Sequence, residues 1–227
     1  AEAGPGSWCD SAELDCLDPG GSGRSAHTTY LGLPAARYFI LVDAVTGDRT
    51  GIGTVGLLTL WGMGAEARLT CVEAQEISYR LLQSNIDANG LRQRVDCSHG
   101  DLRELALDRK FPLITGSPPY FPAGTGVLPQ DSQKAHARFE LRGDVGDYAK
   151  AAVSHLADGG WFVLCFPSPQ KQRALDGIAA SGLKVVKSRD VIPRETLPPL
   201  FTLFACQHPQ DFSGQTTVEE PLTVRHA

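Results

Sequence analysis

The 227-residue sequence has no apolar run approaching the ~20 residues that a membrane span needs. No charged-then-apolar secretory leader opens it. It has no basic excess either: 21 Lys and Arg stand against 26 Asp and Glu, a net charge of −5. That balance speaks against a broad basic surface for nucleic acid and leaves room for a local patch. Its cysteines lack zinc-knuckle spacing, because Cys9 and Cys16 lie too far apart and no second pair faces them. Cys71, Cys165 and Cys206 sit inside the apolar runs LTCVE, FVLCF and LFACQ, where a free thiol behaves as a small hydrophobe. No metal and no membrane partner are expected, and the location expected is cytoplasmic and reducing. The body of the chain also lacks internal repeats and low-complexity tracts.

What is present suits a folded globular domain with a sizeable core: 42% hydrophobic and 21% charged residues. Residues 1–36 are expected to be an irregular N-terminal lead-in, rich at first in Gly, Ser, Asp and Ala. Residues 37–210 read as the domain and 211–227 as a C-terminal tail.

Within the domain, apolar runs alternate with helical patterns. Strands are expected at 38–44 (YFILVDA), 67–74, 94–101, 110–116, 161–166, 183–191 and 199–207. Helices are expected after the first glycine loop (VGLLTLWGMG), at 77–90, at 143–160 and at 171–182, several of them closed by glycine. The helix at 77–90 would turn Ile77, Leu81 and Ile86 to one face. Strands separated by helices imply parallel β-α-β units and a sheet covered on both faces. The last two strands have no helix between them, so they are expected to pair antiparallel. The fold class is therefore α/β: a Rossmann-like, seven-stranded, doubly wound sheet with a C-terminal antiparallel strand pair.

Ligands of doubly wound sheets bind beyond the carboxyl ends of the strands. Here those ends carry Asp43 and a glycine loop, then Glu73, then Asp101 with Leu102 beside it. Glycines let backbone N–H groups approach a ligand, and a carboxylate after the second strand can accept from both ribose hydroxyls. Each feature alone is an ordinary turn or helix cap; three on successive units point to a nucleotide-like cofactor. TGIGTVG (50–56) carries the dinucleotide spacing Gly51, Gly53, Gly56, so NAD is one candidate. The rival is S-adenosyl-L-methionine, with Asp43, Gly47, Gly51 and Gly53 about its amino-acid part, Glu73 on its ribose, and Asp101 and Leu102 at its adenine. VTGDRTGIG is longer than the usual loop for that cofactor.

The chain leaves its fourth strand through TGSPPYF (115–121). Two prolines in tandem cannot continue a strand, since each lacks an N–H. Ser117, Pro118, Pro119 and Tyr120 form a rigid corner with a hydroxyl, a carbonyl and a ring. Such a corner resembles that of the amino-methyltransferases, whose fourth strand ends in Asn, Asp or Ser followed by Pro-Pro and an aromatic. The resemblance implies that Ser117 Oγ and the Pro118 carbonyl accept the two N–H bonds of an exocyclic amine, which holds its lone pair toward the methyl sulfonium. Tyr120 would stack on the flat ring, worth ~1–3 kcal/mol per base. No general base is demanded, because the proton becomes acidic once the nitrogen is methylated.

VEAQE (72–76), NGLRQRV (89–95), HGDLRE (99–104), TGSPPYFP (115–122), ARFELRG (137–143) and LPPLF (197–201) extend the match. Through them the chain is similar to the tRNA (valine) adenine-N6 methyltransferases. The resemblance implies S-adenosyl-L-methionine as cofactor, a tRNA or other RNA substrate, and Arg138, Glu140 and Arg142 on the substrate side. Ser117 stands where the tRNA enzymes have Asn, and serine also precedes Pro-Pro in cytosine-N4 methyltransferases. Cytosine N4, a protein glutamine N5, or a non-catalytic methyltransferase-like binding subunit remain as alternatives. His27 corresponds weakly to a segment that closes over the cofactor in the family; His99 and His136 have no partner that suggests catalysis.

Overall fold

The computed structural model describes residues 53–225 apart from Gly64 and Leu105. The lead-in, the strand expected at 38–44 and the glycine loop through residue 52 lie outside the described residues. Those described run α1 (Thr54–Gly62), β1 (Leu69–Glu73), α2 (Glu76–Ala88), β2 (Val95–His99), β3 (Phe111–Gly116), α3 (Ser132–Arg138), α4 (Val145–His155), β4 (Leu156–Pro167), α5 (Lys171–Ser181), β5 (Lys184–Ile192), β6 (Phe201–Gln207) and β7 (Thr217–Thr223).

Hydrogen bonding groups the described strands into a two-stranded sheet, β1-β2, and a five-stranded sheet in the order β3-β4-β6-β5-β7. β1 and β2 are parallel, as are β3 and β4. β6 runs antiparallel to both β4 and β5. Six of the seven strands expected from the sequence are found among the described residues, and the seventh, at 38–44, lies outside them. Beyond residue 210, where a tail was expected, β7 pairs parallel with β5.

Side chains alternate across the larger sheet with the period of two that a pleated strand imposes. Ile114, Phe162, Leu164, Phe204 and Cys206 pack with Val145, Tyr148, Ala149 and Ala152 of α4 and Ala174 and Ile178 of α5. Their chain neighbours Leu113, Val163 and Ala205 join the opposite cluster, with Leu60 of α1, Leu82 and Ile86 of α2, and Leu69 and Cys71 of β1. Helices therefore cover both faces, and the second cluster draws on both sheets. Cys71 and Cys206 are buried free thiols in these cores; Cys97 and Cys165 are half-buried and also free.

α2 corrects one expectation. Its buried stripe is Ser78, Leu82 and Ile86, whereas Ile77 is 57% and Leu81 48% exposed. Ser78 tolerates burial because its hydroxyl lies 3.3 Å from Gln133 Oε1. Gly90, at φ +63, closes the helix: its N–H meets the Asp87 carbonyl and the Leu91 N–H meets the Ile86 carbonyl, a Schellman arrangement. α4 begins at a capping box between Asp144 and Asp147 and stops at His155, four residues before Gly159, the first of the glycines expected to end it. Leu156 is already extended, at φ −75 and ψ 132, and opens β4.

Candidate active site at the strand ends

Glu73 is the last residue of a fully buried strand and is itself 1% exposed. Such a carboxylate is costly unless polar groups meet it. The N–H of Gln75 does so, 2.7 Å from Oε1. One strand over, the N–H of Gly100 donates to the Glu73 carbonyl at 3.1 Å. This brings the loop carrying Asp101 beside Glu73.

Asp101 is held by Arg103. Oδ1 accepts from the Arg103 backbone N–H at 3.0 Å and from Nε at 2.9 Å; Oδ2 accepts from the guanidinium at 2.6 Å. These hydrogen bonds keep the Asp101 carboxyl below its ordinary range, with a smaller contribution from the charge of Arg142. Asp101, expected at the cofactor's adenine, is thus also engaged by Arg103, and the Asp-x-Arg spacing behind this turn is visible in GDLR. Leu102 sits at 3% exposure in the core cluster, so its side chain is packed in the core.

The fourth expected strand, β3, ends at Gly116. A Cβ there would stand 3.1 Å from Tyr148 and 3.5 Å from Phe162, which accounts for glycine at the exit. Pro118 and Pro119 are buried and Ser117 half-buried. Tyr120 is 7% exposed, with its ring edge-on to Phe166 and tilted against Phe201, both at 5.6 Å. Its hydroxyl lies 3.2 Å from Ser117 Oγ. In this arrangement the ring is a buried brace for Ser117 rather than an open stacking plane, a role that the sequence alone did not suggest. Burial pushes the adjacent Cys165 thiol up to about 11, partly offset by a hydrogen bond with Tyr120.

TGSPPYFP and ARFELRG meet here. The N–H groups of Tyr120 and Phe121 donate to the Arg138 carbonyl at 3.1 and 2.9 Å, and the Glu140 N–H donates to the Phe121 carbonyl at 2.9 Å. Arg142 reaches back to the strand ends, donating to the Ala74 carbonyl at 2.9 Å. Glu140 is committed elsewhere: its carboxylate, 8% exposed, bonds Arg173 at 2.6 Å, and that guanidinium lies over the Phe166 ring. Of the three side chains expected on the substrate side, Glu140 is thus tied to Arg173 and Arg142 to the Ala74 carbonyl.

Gly53 begins α1 at φ +77, and a Cβ on it would come within 2.3 Å of Leu82. Only glycine fits this close, left-handed entry. Asp43, Gly47, Gly51 and His27 lie outside the described residues. His99 pairs with Glu76 at 3.2 Å and stacks on Tyr79, while His136 bonds the Ser132 carbonyl at 2.8 Å. Neither belongs to the corner. Among the described residues no helix is long and apolar enough to cross a membrane.

No protein-family model matches the chain. It is 34% identical over 120 residues to a Pasteurella multocida protein named tRNA1(Val) (adenine(37)-N6)-methyltransferase, covering 52% of this chain and 50% of that protein. A Shewanella sediminis protein of the same name is 28% identical over 185 residues, covering 77% and 74%. The chain spans 50% and 61% of the length of the curated relatives from Pasteurella multocida and Actinobacillus pleuropneumoniae. Among solved structures, a protein described as a predicted O-methyltransferase from Agrobacterium tumefaciens superposes with a TM-score of 0.61 at 15% identity, covering 85% of this chain and 82% of that one. The glycopeptide N-methyltransferase MtfA, solved with S-adenosyl-L-methionine, superposes at 0.53 with 13% identity, covering 81% and 92%. The fold is that of the methyltransferases.

Proposed function

We propose that this protein is an S-adenosyl-L-methionine-dependent methyltransferase acting on an amino nitrogen, with adenine N6 in tRNA or other RNA as the acceptor. One observation carries the reading: a Ser-Pro-Pro-Tyr corner at the carboxyl end of β3, in a methyltransferase fold that also puts a buried Glu73 at the end of β1. The tRNA methyltransferase names of the relatives support the choice of acceptor.

The described residues fit the cofactor in kind. Glu73 would accept from the ribose hydroxyls, and the N–H groups of the first turn after Gly53 would meet the amino-acid part, where Asp43, Gly47 and Gly51 would join them. A carboxylate offers about four lone-pair sites. Arg103 takes three of those on Asp101, so one acceptor direction remains for the adenine edge. The cofactor supplies an electrophilic methyl on its sulfonium.

The chain's own part is to hold the amine. Ser117 Oγ and the Pro118 carbonyl would accept its two N–H bonds and aim the nitrogen lone pair, with both acceptors fixed by the proline pair. Either hydroxyl can donate in the Ser117–Tyr120 pair; with Ser117 as donor, its Oγ lone pairs would be left for the substrate.

The test begins with titration calorimetry of S-adenosyl-L-methionine and S-adenosyl-homocysteine, followed by methyl transfer to bulk tRNA and nucleoside analysis. Expected are micromolar binding, lost in Glu73→Ala, and N6-methyladenosine in the digest. Ser117→Ala lowers kcat by about 100-fold with cofactor binding kept. Absence of binding to either ligand by the folded protein sinks the reading. Label in protein glutamine or in cytosine N4 moves the acceptor.

A further inference from the structure

The corner has an exposed neighbour that the cofactor reading does not use. Phe121 follows the buried Tyr120 and is 46% exposed. Its ring is not loose: it packs on Phe139 at 5.6 Å between centroids and 38° between planes, and Phe139 is itself 6% exposed. Backbone bonds on both sides of Phe121 tie it to residues 138–140. An aromatic plane is thus fixed at the surface next to Ser117.

α3 leads into the same place. Its seven residues, SQKAHAR, include Lys134, His136 and Arg138 and no acid. The Asp131 carboxylate before it is taken by the N–H groups of Gln133 and Lys134. Glu140, the nearest acid after it, is bound to Arg173. In a chain of net charge −5, this is a local basic edge beside an exposed ring. A charged edge that follows a phosphate backbone, joined to a stacking plane, is how sequence-tolerant single-stranded sites are built.

We propose that Phe121 and the basic edge of α3 form the landing surface for single-stranded RNA flanking the methylated base, the neighbouring base stacking on Phe121 and the phosphates meeting Arg138. This rests on the acceptor being RNA, as proposed above. Tyr120 then braces Ser117 from below while Phe121, not Tyr120, offers the open ring.

Fluorescence anisotropy of a labelled single-stranded oligoribonucleotide tests it without requiring catalysis. Phe121→Ala weakens binding by about 5- to 100-fold, the range expected for one base–aromatic stack. Phe121→Trp restores it. Arg138→Ala weakens binding across sequences and lowers the slope of log affinity against log salt by about 1. Circular dichroism and S-adenosyl-L-methionine calorimetry stay at wild-type values in all three variants. Unchanged RNA affinity in both Phe121→Ala and Arg138→Ala overturns the proposal, as does a wild type that binds no RNA or that methylates protein through this surface. A wild type that binds RNA, loses it in the variants and binds no cofactor upholds the surface and sinks the enzyme reading alone.

Discussion

Asp101 shows at the scale of one residue how a candidate ligand group and a structural group can be the same. Its bonds to Arg103 favour the charged carboxylate, so its folded-state value lies below the unfolded one. Stability from the pair is therefore present above the unfolded value, about 3.9 for aspartate, and is lost as pH falls through the depressed folded value. Asp101→Asn is expected to flatten the acid limb of a stability-versus-pH curve below about pH 4 and to lower stability near neutrality by no more than about 1 kcal/mol. Urea titrations of both proteins between pH 2 and 8 check this; parallel curves would show that the pair does not form. The residue types at the strand ends were legible because a carboxylate closing an apolar run interrupts the pattern. The burial of Tyr120 was not, because Phe166 and Phe201, which cover it, belong to β4 and β6, distant in sequence.

Among the elements, α2 was legible as a helix but not in its orientation. Two stripes fit its periodicity: Ile77 with Leu81 and Ile86, and Ser78 with Leu82 and Ile86. Hydropathy chose the first, and the structure buries the second, because Gln133 satisfies Ser78 from outside the helix. Adjacent leucines supply the test. Leu82→Ala removes a side chain 1% exposed and is expected to cost about 2–5 kcal/mol. Leu81→Ala, at a position 48% exposed, is expected to stay within about 0.5 kcal/mol. Equal losses in equilibrium denaturation would reverse the assignment of the faces. β7 escaped the sequence reading for a related reason. TVEEPLT is nearly all exposed and lacks apolar alternation, and Pro221 speaks against a central strand. Among the described strands β7 lies at the edge, bonded only to β5, and such a strand tolerates both.

Over the whole molecule, the alternation of strands and helices made the doubly covered α/β architecture legible, whereas no local pattern could give the spatial order of the described strands. Among the described residues, β1-β2 and the larger sheet share packing: Leu69 and Cys71 of β1 are in one cluster with Leu113, Val163 and Ala205. Leu113 and Ala205 are fully buried there, so opening one sheet would bare the core of the other. The two should therefore unfold as one cooperative unit. Native-state hydrogen exchange is expected to give the slowest amides of β1 and β2 the same opening free energy as those of β3, β4 and β6. A ligand held at Glu73 touches the small sheet directly, yet cooperativity spreads its effect. S-adenosyl-L-methionine at a hundred times its Kd adds about 2.7 kcal/mol to any opening that abolishes binding. That increment is expected in both sheets alike. An increment confined to β1 and β2, over a lower baseline there, would mean that the strand-end site rides on a subunit of the fold that opens by itself, and that the shared apolar cluster does not couple the cofactor side to the Ser117 corner.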